Sequence, residues 1–85
     1  MKMYTVTYSG VNRRFKNLAM PVLAESKREA VIRCYEYYME DNFFDQPDGS
    51  IFDCDGNRIA DPDDDSIFFD GGWFQAEELI EQDQD

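Results

Sequence analysis

The sequence predicts an α+β fold: a single small domain in which one amphipathic helix packs on an antiparallel sheet of about four strands. Three observations predict it. Residues 4–8 alternate, with Tyr4, Val6 and Tyr8 on one side and Thr5 and Thr7 on the other, the period of a half-buried strand made of aromatic and β-branched residues. Ser26 followed by Glu29 stands ahead of an apolar-periodic run, the capping-box signature of a helix start. Asp55-Gly56 lies between "IFDC" and "NRIA", where it suits the two positive-φ positions of a type I′ hairpin turn. A chain of 85 residues holds one domain and a small core.

Taken in order, "KMYTVTYSG" (2–10) is the first strand and "SGVNRRFKN" (9–17) a turn that carries a basic cluster. "LAMPVLA" (18–24) is the second strand, with Leu18, Met20, Val22 and Ala24 on one face. Pro21 has no amide hydrogen to donate to a ladder, so this strand belongs at an edge or carries a bulge. The two strands pair as a hairpin. "ESKREAVIRCYEYYMEDNFF" (25–44) is the helix. At 100° per residue, Val31, Cys34, Tyr35, Tyr38 and Asn42 form its inner stripe, opposite Glu29, Arg33, Glu36 and Glu40. The inner tyrosines are read as packing groups, because they bury large areas. "DQPDGS" (45–50) is a turn, and "SIFDCDGNRIAD" (50–61) the hairpin around Asp55-Gly56. "DPDDD" (61–65) is a loop or strand end, followed by "SIFFDGGWFQ" (66–75), a strand interrupted by Gly71-Gly72. In residues 61–72 the aspartates face outward while Ile67 and Phe69 face the core. "AEELIEQ" (76–82) is open between a C-terminal strand and a short helix of two turns. The order is β-β-α-β-β, with the domain spanning 1–80 and a frayed acidic tail at 81–85.

Composition narrows the function classes. Hydrophobic content of 42% with 15% aromatics argues for a folded chain despite its charge. The sequence contains no apolar run of membrane-spanning length and no signal-peptide stretch at its start, which predicts a soluble protein of the cytoplasm. Cys34 and Cys54 have no zinc-ligand spacing and the chain has no histidine, so both are read as reduced thiols. Net charge is −11, unevenly spread. Residues 1–35 carry seven basic groups (Lys2, Arg13, Arg14, Lys16, Lys27, Arg28, Arg33) against Glu25 and Glu29, a balance of +5. Residues 36–85 carry Arg58 alone against seventeen acidic groups, a balance of −16. That asymmetry argues against the general acidification of a high-salt protein. It predicts repulsion from nucleic acid and anionic membranes and attraction to basic partners.

Two chemical readings of the acidic half are weak. Asp53, Asp55 and Asn57 have calcium-loop spacing, with Asp64 in the twelfth position. Arg58, however, stands where such a loop needs glycine, and the last ligand is not glutamate. No catalytic motif, phosphate-binding glycine loop or nucleophile with an evident base is present. The sequence therefore predicts no cofactor, no metal and no enzyme.

The acidity itself is the remaining candidate. Same-side carboxylates on a strand recur about every 7 Å, a scale comparable to the phosphates of one DNA strand, spaced about 3.4 Å along the axis. The expected partner-binding residues are Asp53, Asp61, Asp63, Asp64, Asp65 and Asp70, with Glu77, Glu78 and Glu81 behind them and Trp73 as an apolar anchor. Glu36, Glu40 and Asp41 would extend the patch from the helix. Core packing is the competing reading for Trp73. With "DCDGNRIADPDDDSIFFDGGWFQAEELIE" (53–81) as the carrying stretch, about a third of the chain, the protein resembles as a class the small phage-encoded inhibitors of bacterial defence. These are the anti-CRISPR proteins and the anti-restriction DNA mimics. The resemblance implies a non-enzymatic inhibitor that occupies the positively charged nucleic-acid channel of a larger complex, such as a Cas effector, in a bacterial host cell. Direct DNA binding is not expected. Arg13, Arg14 and Lys16 are expected to make a secondary basic contact, with an acidic part of the target, guide RNA or a second copy, so that the protein is a monomer or weak homodimer. The alternative is a small interaction module that binds through Phe68, Phe69, Trp73 and Phe74, its acidity serving solubility.

Overall fold

The alternation of residues 2–9 becomes the strand around which the chain is built. In the computed structural model, residues 1–40 and 43–79 are described. The elements are β1 (Lys2–Ser9), a 3₁₀ turn (Arg13–Phe15), β2 (Ala19–Ala24), α1 (Lys27–Met39), β3 (Phe43–Asp45), β4 (Ile51–Asp53), β5 (Arg58–Ala60), β6 (Ile67–Phe69) and β7 (Gly72–Glu78). They form two antiparallel sheets, ordered β2-β1-β7-β6 and β3-β4-β5. The α+β class holds, with α1 on one face of the four-stranded sheet, but the strands divide into two sheets where one was expected. No described helix is long and apolar enough to cross a membrane.

β1 and β2 pair as the expected hairpin, Tyr4 opposite Val22 and Thr5 opposite Pro21. β2 is an edge strand, so Pro21 breaks no ladder. Tyr4, Val6 and Tyr8 are buried, and so are Val22, opposite Tyr4, and Ala24 on the same face of β2. The helix cap forms as its residues dictate. Ser26 Oγ accepts from the Glu29 amide at 3.1 Å, while the Glu29 carboxylate accepts from the Glu25 amide, one residue beyond the cap. Ala30, Val31, Cys34 and Tyr35 are the buried face. Asn42 and Asp41 fall outside the described residues.

Three local expectations are corrected, and a fourth segment left open is decided. Phe43 and Phe44 leave the helix and form β3, which pairs with β4. The turn at 53–57 is not type I′: Gly56 has φ 87° but Asp55 does not share it. Instead Asp53 and Asn57 close a three-residue loop, with the Asp53 amide donating to the Asn57 carbonyl at 2.9 Å, the geometry of a turn with a glycine bulge. Residues 66–75 are not one strand. Asp70 and Gly71 both have positive φ, 51° and 76°, so they make the type I′ turn and β6 and β7 are its arms. Residues 76–78, open between strand and helix, extend β7, which pairs with β1 from Tyr4–Glu78 to Ser9–Trp73. Pairing along most of a central strand outweighs the helix preference of Ala and Glu.

The basic turn holds the largest omission of the sequence reading. Phe15 is 1% exposed and sits at the centre of the core. Its ring lies 5.0 Å from Phe74, 5.1 Å from Tyr38, 5.5 Å from Tyr8 and 5.8 Å from Phe69. Such edge and tilted contacts add to the area that each ring buries. Asn12 caps the 3₁₀ turn through the Arg14 amide at 2.8 Å, which turns Arg13, Arg14 and Lys16 outward while Phe15 turns in.

Two stability predictions follow from this core. Phe15→Ala is expected to cost about 3–5 kcal/mol, read as a lower urea midpoint, whereas Trp73→Ala, at an exposed position, should cost under about 1 kcal/mol. Equal costs would contradict the packing described. Burial raises the Cys34 thiol to about 11 and the Tyr35 phenol to about 12, with Asp53 and Cys54 adding to the latter. Both groups resist ionisation only when folded, so their stabilisation is complete below about pH 9 and is lost between about pH 9 and 12. Cooperative alkaline unfolding in that range is expected by circular dichroism. A thiol reagent at pH 8 should modify exposed Cys54 and spare Cys34.

Candidate acidic–aromatic binding site

The type I′ turn at Asp70-Gly71 fixes which side chains the β6–β7 hairpin presents. Ile67 and Phe74 face each other in the core, and Phe68 and Trp73, one step along, face each other outside it. Phe68 and Trp73 are each 40% exposed, their ring centroids 5.0 Å apart at 66°. Trp73 is therefore not a core residue. Of the alternative aromatic surface, Phe68 and Trp73 are on the outside, Phe69 is half-buried and Phe74 is fully buried.

β5 runs beside β6, and its pairing with β4 slips between Ile51 and Phe52. The slip turns Ile59 and Ala60, consecutive residues, both inward. Between β5 and the hairpin lie two adjoining hollows. One, of about 220 Å³, is lined by Arg58, Asp61, Asp64, Phe68 and Trp73 among others. The second, of about 460 Å³, is lined by Asp53, Arg58, Phe68 and Asp70 among others.

The aspartates around this cleft are placed by turns. Asp61 to Asp64 is a turn with Pro62 second, closed by the Asp64 amide on the Asp61 carbonyl at 3.1 Å. The Asp64 carboxylate accepts in return from the Asp61 amide at 3.1 Å. Arg28, from the first turn of α1, holds this loop from behind. Its guanidinium donates to the carbonyls of Asp61, Asp64 and Gly49. The cation thus binds carbonyl oxygens and leaves the carboxylates facing outward. Asp53 accepts from the Asp55 and Asn57 amides at 2.9 and 2.8 Å. Its slight burial opposes ionisation, but these bonds outweigh it and hold its carboxyl below the usual range. Asp48 is lowered in the same direction by the Ser50 amide and hydroxyl.

Of the expected site, Asp53, Asp61, Asp64, Asp70 and Trp73 line one cleft, and Asp63 and Asp65 project from the loop beside it, both exposed. Among the described residues only Asp61 of this group has an ion-pair partner, Arg58 at 2.8 Å. Glu77 and Glu78 do not extend the patch as a pair. As neighbours on β7 they point to opposite faces, and Glu78 meets Lys2 at 3.7 Å. Glu81 lies outside the described residues. No described strand carries two carboxylates on one face; around the cleft Asp53 ends β4 and the other aspartates stand on turns. The basic segment comes close to this end. The Asn12 side chain donates to the Asp70 carboxylate at 2.9 Å, and Arg14 lies over Phe15 and Tyr38.

Chemically, this arrangement attracts cations and exposes aromatic area. Among the described residues no three metal-ligating side chains converge. The carboxyl shifts resolved, at Glu29, Asp48 and Asp53, are all downward, away from the values of a general acid at neutral pH. Comparison with known proteins adds no relative: no family model, curated protein or solved structure matches the chain.

Trp73 is the sole tryptophan, which makes the local field measurable. Caesium is expected to quench its fluorescence more than iodide does, relative to free N-acetyltryptophanamide. The difference should close near 1 M salt, where screening acts within about 3 Å. Equal quenching at low salt would mean that the carboxylates do not dominate the field at the aromatic pair.

Proposed function

We propose that the protein is a non-enzymatic inhibitor that docks its acidic–aromatic end on the positively charged nucleic-acid-binding surface of a larger protein or complex. A Cas effector is the target class that the resemblance to phage anti-defence proteins implies. The observation that carries this reading is the group of aspartates around one cleft of which, among the described residues, only Asp61 has a cationic partner, Arg58, while Arg28 behind the loop is committed to carbonyls. A lysine- and arginine-lined channel gains from such a surface the attraction it gains from DNA. The partner's basic groups release counterions in either case. Turn-borne carboxylates imitate the charge density of nucleic acid rather than its helical repeat.

A second reading rests on a separate observation, the exposed Phe68–Trp73 pair. There the aromatic contact supplies the affinity and the acidity supplies solubility. Salt separates the two.

The test is capture by the immobilised protein from a bacterial lysate that contains CRISPR effectors and restriction enzymes. The expected result is recovery of a nucleic-acid-binding complex that competing DNA releases, with affinity falling at least about tenfold between 50 and 200 mM salt. Asp63→Lys with Asp65→Lys should abolish recovery with an unchanged circular dichroism spectrum, because neither side chain takes part in the loop's hydrogen bonds. Recovery that survives both the reversal and high salt but fails in Trp73→Ala would replace this reading by the second.

A further inference from the structure

The acidic end is described above as charge, yet its cleft has a shape and a composition that select among cations. We infer that the cleft between β5 and the β6–β7 hairpin is a guanidinium-binding groove, which takes arginine side chains of the partner against the Phe68–Trp73 pair and the carboxylates of Asp64, Asp53 and Asp70. This rests on the proposed docking of the acidic end and adds the identity of the groups it grips.

Three observations carry it. The two hollows meet at Phe68, Arg58 and Ile59, so the Phe68 ring is the wall they share. Each hollow combines exposed aromatic surface with carboxylates that have no ion-pair partner among the described residues: Asp64 in one, Asp53 and Asp70 in the other. The cleft also holds a guanidinium of its own. Arg58 lines both hollows, with its charge on the Asp61 carboxylate at 2.8 Å and its Cζ 5.5 Å from the centre of the Phe52 ring, which stands outside them. The environment thus already seats this group by one carboxylate and one ring, and it repeats both kinds of contact on either side of Arg58.

The chemistry distinguishes arginine from lysine. A guanidinium is planar, weakly hydrated and able to stack on an aromatic face while its edge donates to carboxylates. An ammonium of equal charge keeps more of its water and has no plane to stack. A nucleobase would meet the same rings, but its phosphate would be repelled by the aspartates.

The experiment titrates the full chain with acetylated, amidated nona-arginine and nona-lysine at 0.15 M salt, following Trp73 emission and calorimetric heat. Nona-arginine is expected to bind about three- to fivefold tighter than nona-lysine and to change Trp73 emission saturably. Phe68→Ala should remove the preference. Asp64→Asn, which keeps an acceptor for the Asp61 amide, should weaken nona-arginine about threefold and serves if Phe68→Ala misfolds. Equal affinity for the two peptides, a Trp73 signal that does not move, or a preference that survives both variants overturns the groove and leaves the acidic docking surface standing. Failure of both peptides to bind overturns the groove and the docking surface together.

Discussion

The close approach of Gly10 and Gly72 beneath the Tyr8 phenol is the constraint on which the rest of the structure depends. A Cβ on either glycine would lie within 2.7 Å of the other's Cα and of the Tyr8 ring or its hydroxyl, closer than atoms can come. Only hydrogen at both positions lets the end of β1 meet the start of β7. The Tyr8 hydroxyl then donates to the Phe69 carbonyl at 2.9 Å and spans the Asp70 carbonyl at 3.3 Å, pinning the turn that joins β6 to β7. That pin fixes the hairpin phase, which sends Phe74 and Ile67 inward and Trp73 and Phe68 outward. The same phenol packs on Phe15 and Phe74, so the sheet, the basic turn and the binding hairpin share one anchor.

A second constraint acts on charge. Bringing many carboxylates together costs self-repulsion, and a nearby arginine would ordinarily relieve it by direct pairing. Arg28 relieves it differently. Its charge lies under the 61–64 loop, bound to peptide oxygens, where it makes the local potential less negative without pairing with a carboxylate. It also bridges the 61–64 loop to the turn before β4 through the Gly49 carbonyl, so the helix positions the edge of the second sheet as well as the acidic loop.

What could be read from the sequence was whatever has a short period. The alternation of β1 and β2, the edge position implied by Pro21, the capping box at Ser26 and the inward Val31, Cys34 and Tyr35 all express local repeats. Phe15 could not be read in this way, because a lone aromatic in a run of Asn and Arg has no periodicity. Its burial is created by Tyr8, Tyr38, Phe69 and Phe74, residues distant in sequence. Asp55-Gly56 and Asp70-Gly71 are alike locally, and only tertiary pairing gives 70–71 the type I′ turn and 55–56 a bulge. "NRIA" was legible as a hairpin arm, but the bulge at Ile59, which turns Ile59 and Ala60 both inward, was not. Residues 76–78 carry helix-favouring side chains, but β1 offers them a ladder. The placement of the acidic residues was not legible: Asp53 at the end of β4, Asp61, Asp64 and Asp70 on turns and Trp73 on β7 are brought around one cleft by tertiary packing.

That form divides the aspartates into two kinds. Asp48, Asp53, Asp61 and Asp64 each accept hydrogen bonds that close a turn or pair with Arg58. Turn geometry alone explains their type, since the short carboxylate reaches back to local amides. Asp63 and Asp65 accept no such bond from the protein, and they stand exposed beside the exposed aromatic pair. If solubility were the reason for them, charge would also be expected on the outer face of the four-stranded sheet. There Met3, Thr5, Thr7, Ala19, Pro21, Leu23, Phe68, Trp73 and Gln75 surround a single carboxylate, Glu77. Among the described residues, carboxylates therefore gather on the turns beside this face and are sparse on the face itself.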